Sequence, residues 1–166
     1  LVVMGGAITE GNVTPAAEFN IWVDPEAAAE VFDADLDVTM VGLDVTHRAI
    51  LPTTRFEELR DLGTPVGTLA AELCDYFLRF HARTYGFDGV PIHDACAVAA
   101  LLDPTLVETR RLRVDVETAS RHCDGRTVVD LWSVTGREPN VHVGVDIDRE
   151  RFLDLLLTSL AAHPGA

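Results

Sequence analysis

Leu1-Val2-Val3-Met4-Gly5-Gly6 opens the chain as an apolar run that ends in two glycines. Such a run reads as a buried strand, and the glycines let the backbone turn sharply at its C-terminal end. A polar loop follows over residues 7–20. Asp24-Pro25-Glu26 then starts a helix: Asp24 caps it, Pro25 takes the first helical position, and Glu26 suits the positive end of the dipole. Val38 to Leu43 is a second strand, closing on Asp44-Val45-Thr46-His47. Strand, glycine turn, helix and strand set the frame for the remainder.

Working outward, Thr53 to Asp61 reads as a short helix with Leu62-Gly63 as its stop. Pro65 opens a longer helix, running to about Tyr85. Leu69, Leu73, Phe77 and Phe80 recur along it at helical spacing and predict one buried face. Gly86 and Gly89 mark a loop. Ala95 to Leu102 is apolar on every side, which predicts a helix sandwiched in the core. Leu112–Glu117, Thr127–Trp132 and Asn140–Val145 read as strands, and Asp148 caps a terminal helix that turns Phe152, Leu153, Leu156 and Leu160 inward. Strands alternating with helices, followed by a β-rich section, predict an α/β open sheet with some antiparallel strands, a single unit over residues 1–166.

The 166 residues are 48% hydrophobic and 24% charged, a globular composition. No uncharged apolar stretch reaches the roughly 18 residues that a membrane helix needs. A formal net charge of −14 disfavours nucleic acid, whose phosphates would be repelled. Cys74, Cys96 and Cys123 are odd in number and form no C-x-x-C pair, so zinc-knuckle and dithiol chemistry are not indicated. Cys74 and Cys96 read as small core residues, and a reducing, cytoplasmic setting is expected. A chain that opens in mid-strand, without an initiator methionine, is expected to continue a longer one.

Ligands of open α/β sheets bind beyond the carboxyl ends of the strands. Three polar clusters fall there: Gly11-Asn12-Val13-Thr14-Pro15-Ala16-Ala17-Glu18-Phe19-Asn20, then Asp44-Val45-Thr46-His47, then His93-Asp94. Asn12, Glu18 and Asn20 supply donors and acceptors suited to vicinal hydroxyls; a solvated loop with an Asx turn is the plainer reading. In an extended segment Glu18 and Asn20 would share one side, with Phe19 opposite. Asp94 is either an N-cap or a hard oxygen ligand for a divalent cation. His93 is either a general acid or a loop histidine bonded to backbone. His47 shares that ambiguity, with the structural role preferred; His122, His142 and His163 read as structural. Tyr85, His81 and Phe87 either stack on a flat base or pack a helix end.

Together the segments resemble the inosine–uridine-preferring nucleoside hydrolases. The resemblance rests on Met4-Gly5-Gly6, on Gly11 through Asn20, on Asp24-Pro25-Glu26-Ala27-Ala28, on Gly42-Leu43-Asp44-Val45-Thr46-His47 and on Pro91-Ile92-His93-Asp94-Ala95. It implies the C-terminal portion of an open mixed, mostly parallel sheet with flanking helices. It also implies hydrolysis of the N-glycosidic bond of a ribonucleoside, with Ca²⁺ as cofactor and a homo-oligomer or a complementing N-terminal half as partner. By the same resemblance, Asp94 is a calcium ligand that also meets a ribose hydroxyl. Asn12, Glu18 and Asn20 hold ribose hydroxyls, Met4 lines the sugar pocket, and His93 helps the base to depart. His81 and Tyr85 match the family's base-side aromatics only approximately. The family's Asp-x-Asp-x-x-x-Asp-Asp cluster, source of most metal ligands and of the base, has no counterpart here. The nearest run, Asp33-Ala34-Asp35-Leu36-Asp37, lacks the terminal pair and reads as an acidic connection. Alone, the chain is therefore expected to be inactive, or to be a truncated paralogue that binds ribose or nucleosides or acts in assembly.

Overall fold

Strand β1 (Val2–Met4) runs parallel to β2 (Val38–Val41), with Val2 opposite Thr39 and Met4 opposite Val41. The structure is a computed structural model that describes residues 1–163, so the last three positions of the single unit expected over 1–166 lie outside the described residues. Two short helices follow β1: α1 (Phe19–Val23) and α2 (Pro25–Asp33). Asp24 caps α2 by accepting from the Ala27 N–H at 3.0 Å, as Asp-Pro-Glu predicts.

After β2 come α3 (Leu43–Thr46), β3 (Ile50–Pro52), a 3₁₀ turn (Thr53–Arg55), α4 (Phe56–Asp61) and α5 (Pro65–Tyr85). Next are β4 (Gly89–Pro91), α6 (Asp94–Leu102), β5 (Val107–Val116), β6 (Thr127–Asp130), β7 (Val141–Ile147) and α7 (Arg149–Ala162). The main sheet is ordered β1-β2-β7-β5-β6. β1, β2 and β7 are parallel, while β5 runs antiparallel to both β7 and β6: an open mixed sheet with helices over it. β3 and β4 form a separate antiparallel pair.

Alternation along the parallel strands divides the core. Val3, Val38, Met40, Val141 and Val143 pack with Ile21 and Phe32. Val2 and Val41 belong to the other cluster, with Leu51, Phe56, Leu59, Cys96, Phe152 and Leu153. The same strands are thus covered on both sides, as near-continuous apolar runs require.

Several expectations are corrected. β2 ends at Val41, and Leu43–Thr46 turns into a helical segment because its amides bond back to Gly42 and Gly6 instead of to a neighbouring strand. Glu18-Phe19-Asn20 is a helix start, not extended chain. β3 and β4, at three residues each, were too short to leave a periodic signal. The stripe expected to be the buried face of α5 points outward: Leu69, Leu73, Phe77 and Phe80 are exposed, whereas Gly67, Ala71, Cys74 and His81 are buried. Close approach explains this. A Cβ at Gly67 would lie 2.4 Å from the Leu59 carbonyl oxygen, so the small-residue side of α5 is the one that seats against α4. α6 is likewise not enclosed, because Val98, Leu101 and Leu102 are exposed.

Candidate functional site

The carboxyl ends of β1 and β2 deliver the polar clusters to one rim. Gly6 has φ +76°, the left-handed region that glycine enters without cost, and this turns the chain out of β1. Three side chains then secure the turn. Glu18 accepts from the Gly6 N–H (3.0 Å) and caps α1 by accepting from the Asn20 (3.0 Å) and Ile21 (3.3 Å) amides. Asp44 accepts from the Ile8 N–H at 2.5 Å and from the Thr9 hydroxyl at 2.7 Å. Thr127, on β6, accepts from the Ala7 N–H and donates to the Ala7 carbonyl.

Glu18 is only 2% exposed, so its carboxylate lies under the loop instead of beside Asn20 in solvent. Asn20 is exposed; its carboxamide donates to the Met4 carbonyl at 3.3 Å and contacts the Met4 sulfur at 3.2 Å. Asn12 accepts from the Phe19 N–H at 2.9 Å, which folds the tip of the 11–18 loop back onto α1.

Opposite the loop stands a group of rings. His93 precedes α6 and His47 follows α3, with ring centroids 5.7 Å apart. His81 and Tyr85, one turn apart on α5, lie 6.3 Å from His93 and 5.7 Å from His47 respectively. Phe87 stacks on Tyr85 at 5.4 Å and meets His47 at 5.3 Å. Nδ1 of His81 bonds the Phe77 carbonyl (3.0 Å), and Nδ1 of His93 bonds the Thr46 hydroxyl (2.8 Å). Burial, reinforced by the neighbouring His47 and His81, pushes the His93 pKa down to about 4. Burial also lowers that of His47, against a smaller opposing pull from Asp44. His93 is therefore neutral at pH 7 and has one N–H to give.

A cavity of about 250 Å³ brings Asn12 and Phe19 together with His47, His81, Tyr85 and His93. A larger one of about 460 Å³, bounded by Leu73, Phe77 and Ile92, shares His81 and His93 and adds Asp94. Met4, Glu18 and Asn20 form their own hydrogen-bonded group at the end of β1 and line neither cavity. His47, read as structural, stands at the middle of the ring group. The usable signal was its place just past the end of β2, where open sheets hold ligands.

Asp94 is exposed and is the first residue of α6, without a cap bond from His93. Calcium needs roughly six to eight oxygens. Among the described residues no group of three or more His, Cys, Asp or Glu side chains is placed to hold a metal. The donor set present therefore does not fit a complete calcium site. The acidic connection is engaged elsewhere: Asp33 pairs with Arg113 at 2.6 Å, and Asp37 lies 3.4 Å from His142. Among the described residues no helix is long and apolar enough to cross a membrane.

An aromatic wall, a neutral histidine and the Asn12 carboxamide around one cavity have the chemistry to take a flat heterocycle joined to a polyol. The chain is 51% identical over 162 residues to the pyrimidine-specific ribonucleoside hydrolase RihA of Enterobacter sp. (strain 638), covering 97% of this chain and 52% of that protein. It is 51% identical to the protein of the same name from Citrobacter koseri, covering 98% and 53%. The chain thus spans about half the length of the curated relatives it matches. Among solved structures, the purine-preferring ribonucleoside hydrolase from Gardnerella vaginalis superposes with a TM-score of 0.85 at 36% identity, over 95% of this chain and 50% of that one. A plant nucleoside hydrolase superposes with a TM-score of 0.83 at 32% identity, over 96% and 52%. The family described as inosine-uridine preferring nucleoside hydrolase matches residues 1–154, and the chain belongs to that family.

Proposed function

We propose that this chain supplies the sugar- and base-binding half of a cytoplasmic hydrolase that splits pyrimidine ribonucleosides into ribose and free base. The observation that carries the reading is the cavity shared by Asn12, His47, His81, Tyr85 and His93, in a chain 51% identical to a pyrimidine-specific ribonucleoside hydrolase. The base lies against Tyr85 and His81. As the C1′–N bond breaks, its electron pair moves onto the base, and the N–H of His93 stabilises it there by hydrogen bonding. Asn12 and Asn20 hold ribose hydroxyls while positive charge grows on the sugar ring, and preorganised dipoles of this kind favour that state over the ground state. Met4 and Glu18 act beneath them, Met4 through its contact with Asn20 and Glu18 through the turn that it caps. A water oxygen joins C1′ and gives up one proton to solvent, while the departing base takes up one proton from solvent, so that ribose and neutral base leave.

Asp94 is this chain's contribution to a calcium site whose other ligands come from a complementing N-terminal half; a homo-oligomer is the expected assembly. The lone carboxylate favours a second reading, a catalytically silent module that binds ribosides. Ribose release from uridine and inosine, by the chain combined with the N-terminal half of the Enterobacter relative, separates the two. Turnover of uridine above inosine, lowered at least about 100-fold by His93→Ala, supports the hydrolase. Uridine binding without turnover supports the module.

A further inference from the structure

Thr46 has a fully buried side chain, yet it is the only residue to which a ring nitrogen of His93 is bonded among the described residues. It ends α3, the segment that leaves β2 for the rim. Its backbone N–H bonds the Gly42 carbonyl and its carbonyl accepts from Ala49, so the backbone that carries the hydroxyl is fixed from both sides. No other hydrogen bond of the Thr46 hydroxyl is found among the described residues. A buried hydroxyl gains most by donating its hydrogen. Were Nδ1 of His93 to carry the proton, two hydrogens would compete for one contact, and the hydroxyl hydrogen would be left without an acceptor in the core. Were Nδ1 the acceptor, the pair would be satisfied as it stands.

We propose that Thr46 is a positioning residue: its hydroxyl donates to Nδ1 of His93, fixing the ring's orientation and the tautomer that carries its proton on Nε2. The nitrogen left to face a departing base is then a donor. The opposite tautomer would present a lone pair to a group gaining an electron pair and would repel it. The His47 and His81 rings, with centroids 5.7 Å and 6.3 Å from that of His93, choose neither tautomer, since among the described residues both are in ring contact with it and neither is hydrogen-bonded to it. That choice falls to Thr46.

The inference concerns how His93 acts in the proposed hydrolysis and so rests on that reading, but its first test does not depend on activity. In protein carrying ¹⁵N-labelled histidine, two-bond ¹H–¹⁵N correlation spectra distinguish the tautomers of a neutral imidazole. His93 is expected to give the Nε2–H pattern, and Thr46→Val, which keeps the shape and removes the hydroxyl, is expected to lose it. An Nδ1–H pattern in the unaltered protein overturns the proposal, whatever the enzyme does. The second test uses the chain assembled with its N-terminal complement. Thr46→Val should lower kcat on uridine by roughly 10- to 100-fold with KM nearly unchanged. It should barely affect a riboside bearing an activated nitrophenolate, which departs without help. Thr46→Ser, which restores the hydroxyl, should recover most of the uridine rate and serves if the valine variant folds poorly. Equal losses on both substrates, or failure of serine to rescue, would make Thr46 a packing residue only.

Discussion

Glu18 shows how a residue at a site can act on it from below. Its carboxylate accepts from three backbone amides, Gly6, Asn20 and Ile21, at 2% exposure. Removing it strands buried donors and leaves a void, so Glu18→Ala should cost roughly 2–4 kcal/mol. Asn12 and Asn20, both exposed, should behave in the opposite way. Asn12→Ala and Asn20→Ala should leave thermal unfolding within a few degrees of the parent while raising KM for a ribonucleoside at least about tenfold in the assembled enzyme. Denaturant titration read beside steady-state kinetics checks the contrast. A Glu18 variant that kept its stability and lost only substrate affinity would place that carboxylate in direct contact with the sugar instead.

Among the elements, the turn after β6 carries a separable acid sensitivity. Asp130 accepts from the Val134 and Thr135 amides and from the Thr135 hydroxyl, and these bonds hold its pKa down at about 2 instead of the usual 3.8. A carboxylate with a depressed folded-state pKa stabilises above its unfolded value and loses that contribution as pH falls towards the folded one. The Tm gap between the parent and Asp130→Asn should therefore be full at pH 6 and narrow steadily from about pH 4 towards pH 2; a gap independent of pH would contradict it. Elements of this kind differ in how far they are legible in sequence. Asp24-Pro25 and Asp148 announce α2 and α7 because capping is local chemistry, and both helices begin where those residues say. The stripe of α5 is legible as a stripe, but a 3.6-residue period does not say what covers it. The side that meets α4 is chosen by the small residues Gly67 and Ala71. The ring group illustrates the same limit. His47, His81, Tyr85 and His93 are visible as residue types, whereas their gathering depends on α3, α5 and α6 converging from positions 46, 85 and 94.

At the scale of the whole molecule, the exposed apolar surface is organised. Among the described residues β1 pairs only with β2 and so presents an open edge. α6 packs over β1 and turns Val98, Leu101 and Leu102 outward at 58%, 67% and 70% exposure. An open parallel edge beneath an apolar helix face is a template for further strands and helices, and an aggregation hazard without them. The solved family structures are about twice as long as the part of them that this chain matches. If the proposed N-terminal half completes the enzyme, it should seat against β1 and the outer face of α6. Sedimentation should show the chain alone associating as its concentration rises, and forming a one-to-one complex when the N-terminal half of the Enterobacter relative is added. Leu101→Lys and Val98→Lys should abolish that complex while leaving the circular dichroism spectrum unchanged, because neither side chain contributes to the chain's own core. A monomer that stays soluble at every concentration and ignores the added half would mean that this face is finished as it stands, and the riboside-binding module would become the better account of the chain.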